Sequence, residues 1–88
     1  LTKKASHHME RVASIGCILC RELGRDYVPA QVHHIGDSAD RNDFLTIPLC
    51  PEHHQGATGF HGLGERAFNA RYKTSETKLL AKTIERLA

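Results

Sequence analysis

Tryptophan is missing from this 88-residue chain, and Phe and Tyr together make up only 6% of it. With so few large rings to bury, a chain of this length builds a modest core and commonly needs a staple. Disulfides cannot be the whole staple, because three cysteines do not all pair within one chain. Cys17 and Cys20, in CILC, also stand too close for an ordinary structural bridge. A thioredoxin-like site should lie in a βαβ pattern, which is lacking around that pair, so a reduced, intracellular, metal-binding chain fits better. Long apolar runs and a signal-peptide pattern are missing too, which leaves no membrane partner to expect. Charge of one sign is scarce: the net charge is +2 and the pI about 8.6, which permits nucleic acid without demanding it. Repeats, linkers and low-complexity tracts are lacking, so residues 1–88 read as a single domain. Leu1 in place of Met suggests a trimmed chain with residues beyond it.

What is present divides into short elements. Ala5 to Ser14 has helical periodicity, with Met9, Val12 and Ala13 on one side. GCILC reads as a metal knuckle and Gly24 to Ala30 as irregular. AQVHHI is an expected strand, GDSADRND a turn-rich segment, and FLTIPL a second strand leading to Cys50. Pro51 suits the first position of a helix carrying EHHQ, and Gly56, Gly59, Gly62 and Gly64 should stop it. Helix resumes over Glu65 to Tyr72, and a last one follows Ser75 as N-cap. On that last helix Leu80, Ile84 and Leu87 share one face, and Lys78, Lys82 and Arg86 line the opposite one. A solvated surface is the plainer reading of this basic line, and a phosphate-contacting stripe the other.

Ten residues can ligate metal: Cys17, Cys20, Cys50, His7, His8, His33, His34, His53, His54 and His61. C-x-x-C followed, after a hairpin, by C-P-E-H has the spacing of a tetrahedral Cys3His zinc site, so Cys17, Cys20, Cys50 and His53 are assigned to a structural Zn²⁺. Three buried thiols serving as small apolar residues would be the bland alternative. The doublet His33–His34 lies on a strand, where neighbours project to opposite faces. One imidazole can therefore bind a metal and the other stay free for proton transfer. His54 points about 100° around the helix from His53, toward the strand doublet. In an unbroken helix His61 would lie about 10 Å further along, so the glycines must let the chain fold back for it to join. His7 and His8 are expected to be exposed and idle.

These motifs, CILC, VHHI, DFLTIPLCPEHH and the trailing GFHG, resemble the HNH, or ββα-metal, endonucleases over Cys17 to about His61. Closer still, the chain is similar to the phage-encoded branch that includes the Ref-type recombination-associated nucleases. The resemblance implies an α+β fold, a small zinc-stapled ββα-metal core with flanking N- and C-terminal helices. It also implies hydrolysis of DNA phosphodiesters at one catalytic divalent metal. Matched to the family motif, His33, His54 and His61 are ligands of that metal, and His34 is the general base. Asp43, with Asn42 beside it, stands where the middle Asn of HNH orients the base, or else touches the metal. Thr58 occupies the place of the usual last histidine. Imidazoles suit zinc and nickel, while Asp43 keeps magnesium and manganese open. Such a protein would work in a bacterial host's cytoplasm, on DNA, with a phage or host recombination protein as a further partner. Arg41, Arg66, Arg71 and Lys73 are candidates for phosphate contact. A non-catalytic zinc domain that binds nucleic acid or protein is the competing reading, and it would need neither His34 nor His61. A redox role for Cys17 and Cys20 is a third, opposed by Cys50 and the histidine doublets.

Overall fold

Thr2 opens the first helix, its hydroxyl accepting the Ala5 N–H at 3.0 Å, so α1 runs Lys3–Ser14, slightly ahead of the expected start. The computed structural model describes residues 1–37, 39 and 41–88; Ser38 and Asp40, in the segment expected to turn, lie outside the described residues. The knuckle leads into a short helix, α2 (Ile18–Glu22), which buries Ile18 and Leu19. Two antiparallel strands follow, β1 (Gln31–His34) and β2 (Thr46–Leu49), each shorter than the apolar run that signalled it. Register pairs Gln31 with Leu49, Val32 with Pro48, His33 with Ile47 and His34 with Thr46. All of β2 is buried, because α1, α2 and α6 pack on it.

Pro51 starts α3 (Pro51–His54), and the chain then leaves helix geometry until α4 (Phe60–Leu63). The break between His54 and His61 is thus present, though for a reason other than backbone freedom. Neither Gly56 nor Gly59 has positive φ. A side chain on Gly59 would instead sit 2.6 Å from the His53 carbonyl carbon, so glycine is required by close approach of the backbone. Gly64, at φ 84°, does need the left-handed region; it separates α4 from α5 (Glu65–Tyr72).

Ser75 accepts the Lys78 N–H at 3.1 Å and begins α6 (Glu76–Leu87). Its buried face differs from the expected one. Leu79 and Thr83 are inside, while Ile84 is 54% exposed. The Thr83 hydroxyl donates to the Leu79 carbonyl at 2.8 Å, which lets a polar side chain occupy a core position. The result is a small α+β structure whose core joins Ile18, Leu19, Ile47, Leu49, Phe68 and Leu79 to the three cysteines. The scarce rings are strung through it. Tyr72 lies edge-on to His53 at 5.3 Å and 4.9 Å from Phe68, and Phe68 is 5.4 Å from Phe60, which tilts onto His33 at 4.6 Å. Among the described residues no helix is long and apolar enough to cross a membrane.

Candidate metal centres and active site

The α3 helix carries consecutive histidines that face different ways. His53 turns toward the knuckle, where its Nδ1 lies 3.6 Å from Cys17 Sγ, 3.5 Å from Cys20 Sγ and 3.2 Å from Cys50 Sγ. Cys20 Sγ and Cys50 Sγ are 3.8 Å apart. A tetrahedral zinc with bonds of about 2.3 Å to sulfur and 2.0 Å to nitrogen would set neighbouring ligand atoms about 3.5–3.8 Å apart. The four residues are buried, and the cysteines are free thiols. Cys17 Sγ also accepts the Cys20 N–H at 3.4 Å. Burial pushes all three thiols above their ordinary value and pushes the His53 imidazole below it. His53 Nε2 is buried without a hydrogen bond among the described residues, with Glu52 Oε2 at 3.5 Å. A soft divalent cation fits this donor set: it would favour thiolates that burial alone disfavours.

His54 turns the other way and meets His33 and His61, one candidate ligand atom from each lying within 4.8 Å of the others. The rings form a nearly equilateral triangle, with centroids 5.1, 5.2 and 4.8 Å apart. His33 and His54 are buried, whereas His61 is exposed. Burial, followed by the neighbouring imidazoles, pushes both His33 and His54 down to about 4, so each is a neutral ring with a lone pair at neutral pH. The back of each ring is held. His54 Nδ1 donates to Gln31 Oε1 at 2.8 Å, since an amide oxygen only accepts. His33 Nε2 is 2.7 Å from Glu76 Oε2.

His34, on the opposite face of β1, pairs its Nε2 with Asp43 Oδ1 at 2.8 Å. Asp43 is therefore beside His34 and outside the three-histidine cluster. A cleft of about 320 Å³ joins the cluster to His34, lined by His33, His34, His54, His61, Arg41 and neighbours, while Asp43 lies outside it. Arg66, Arg71 and Lys73 do not line it; Arg71 lies over the Tyr72 ring at 5.6 Å. Thr58 sits in the turn, where its carbonyl accepts the Tyr72 hydroxyl at 2.7 Å. His7 is exposed, but His8 packs its ring on Phe44 at 5.0 Å and is not idle surface.

Two contributors went unread in the sequence. Gln31 lies two residues before His33 on the same strand face, so period-two alternation pointed to it. Glu76 carried only the ordinary signal of an acidic first-turn residue.

A family model described as "Recombination enhancement, RecA-dependent nuclease" matches residues 2–88. The chain belongs to this family. No curated protein matches it. Membership in the RecA-dependent nucleases agrees with the expectation of a nuclease tied to recombination.

Proposed function

We propose that this member of the RecA-dependent nucleases is a metal-dependent DNA endonuclease of the HNH, or ββα-metal, type, closest to the Ref-type branch. One observation carries the reading: a three-imidazole cluster and His34, which is paired with Asp43 behind it, line the same cleft. In this reading His33, His54 and His61 hold one divalent cation. When bound, that cation supplies charge neutralisation for the phosphate and the leaving oxygen. The three ligands are neutral, so none of its charge is cancelled by the ligands themselves.

His34 is the general base. An Asp43 carboxylate accepting from Nε2–H leaves His34 Nδ1 as the lone pair that takes a proton from water. Asp43 orients the ring, the part played by the middle Asn in the HNH family. Arg41, on the cleft wall, contacts the substrate phosphate. Cys17, Cys20, Cys50 and His53 hold a structural zinc that fixes α3 and so the direction of His54. Plasmid cleavage across magnesium, manganese, nickel and zinc, with and without RecA filaments on single-stranded DNA, tests the proposal. Metal-dependent nicking or cutting that disappears in His34→Ala is expected. Intact plasmid under every condition would favour a binding module instead.

A further inference from the structure

Glu76 opens α6, 43 residues beyond His33, yet its carboxylate is only 12% exposed and reaches back to β1. A first-turn glutamate that merely complements a helix dipole has no need of burial. This one touches one point in β1 and one just past it: His33 Nε2 at 2.7 Å and the backbone N–H of Gly36. Burial pushes the Glu76 carboxyl above its ordinary value, and the Gly36 amide works against that. The geometry, a carboxyl oxygen 2.7 Å from a ring nitrogen and anchored by a backbone donor, is that of an acceptor for the ring N–H. We infer that Glu76 is a positioning residue: it holds the proton of His33 on Nε2 and leaves Nδ1 to face the cluster formed with His54 and His61.

The arrangement is a carboxylate–histidine pair, which fixes the tautomer and rotation of a ligating ring and raises its basicity. Gln31 does the same for His54 with an uncharged oxygen, so His33 becomes the stronger donor of the two. The ββα unit thus depends on a helix outside it. Only the consequence for metal affinity rests on the nuclease reading; the tautomer does not.

The experiment therefore has two arms. The first uses the full chain with one equivalent of zinc, so that the cysteine site is filled and no ion on Nδ1 fixes the tautomer. The second uses the full chain titrated with cobalt(II) in place of zinc. Long-range proton–nitrogen NMR of His33 reports which ring nitrogen carries the proton. Wild type should show Nε2–H, and Glu76→Ala a mixture of tautomers. A proton on Nδ1 in wild type, or an unchanged spectrum in Glu76→Ala, would overturn the inference. Glu76→Gln keeps an acceptor in nearly the same shape, covers the case in which the alanine variant fails to fold, and should retain the Nε2–H form. Loss of that form in a folded Glu76→Gln would also overturn it, by showing that the amide cannot replace the carboxylate as a simple acceptor.

In the second arm, cobalt(II) titration separates the sites, because only the cysteine site gives thiolate charge-transfer bands. Glu76→Ala should weaken the second ion about 10–100-fold with those bands unchanged, and Glu76→Gln should recover part of the loss. Equal second-ion affinity in wild type and Glu76→Ala would overturn the positioning role. A wild type that binds no second ion while keeping the Nε2–H tautomer would instead sink the nuclease reading and leave the role of Glu76 intact.

Discussion

Strand alternation gives His33 and His34 different surroundings: one is buried with two other imidazoles, the other sits 17% exposed against Asp43. Their alanine variants should fail differently. His34→Ala should keep both metals and its DNA affinity while losing about 10²–10⁴-fold in turnover, the usual contribution of a general base. His33→Ala should weaken the second metal, and excess metal should partly restore cleavage. Metal-binding isotherms paired with cleavage rates decide between them. Metal loss in His34→Ala and retention in His33→Ala would reverse the roles.

At the scale of elements, the turn between α3 and α4 sets where His61 arrives. A side chain on Gly62 would collide with the Gly56 carbonyl oxygen and come within 3.0 Å of Ala57. Gly62→Ala should therefore cost about 1–3 kcal/mol, the usual range for overpacking, and displace His61. Cobalt titration should show a weakened second site beside an intact cysteine site; an unchanged second site would mean that the turn tolerates the methyl group. The elements were legible in the sequence wherever a local rule acts alone. Pro51 and Ser75 set helix starts through their own chemistry, and the VHHI run declared a strand. The buried face of α6 was not legible, because Leu79 and Leu80 are equivalent by hydrophobicity and only packing against Phe68 and β2 chooses between them. The α2 helix was hidden by its length, since five residues carry no periodicity. The cysteine-site ligands could be written down from spacing, and the choice of His33 over His34 for the second set came from the family resemblance. Glu76 had no signal, because nothing local links it to a strand 43 residues earlier.

On the scale of the whole molecule, the core runs through the cysteine site, so the metal there should decide whether the chain folds. Structural zinc in small domains contributes about 10–16 kcal/mol of apparent free energy, against roughly 5–15 kcal/mol for the net stability of a typical domain. A strong chelator should abolish cooperative unfolding in calorimetry, and Cys50→Ser should behave like chelation, whereas His34→Ala should melt like wild type. A chelator without effect on the transition would remove the zinc assignment. With a net charge of only +2, the DNA affinity that the proposed function requires would rest on a few well-placed cations. Arg41→Ala should weaken binding about equally across sequences. It should also flatten the plot of log affinity against log salt by about one contact, or about 0.9 in slope. Arg71→Ala, whose side chain lies away from the cleft, should leave that slope unchanged.

One peptide bond separates His53 from His54, and the two rings face different clusters, one of cysteines and one of imidazoles. With both centres loaded as proposed, that adjacency would open the protein to poisoning at a distance. Cadmium is a larger, thiophilic ion that would compete for the three thiolates and stretch the cage around it. The added size would be passed through a four-residue helix straight into the triangle of imidazoles. Cadmium toxicity toward such an enzyme would then be a matter of ionic radius, inflicted without the intruder ever entering the cleft.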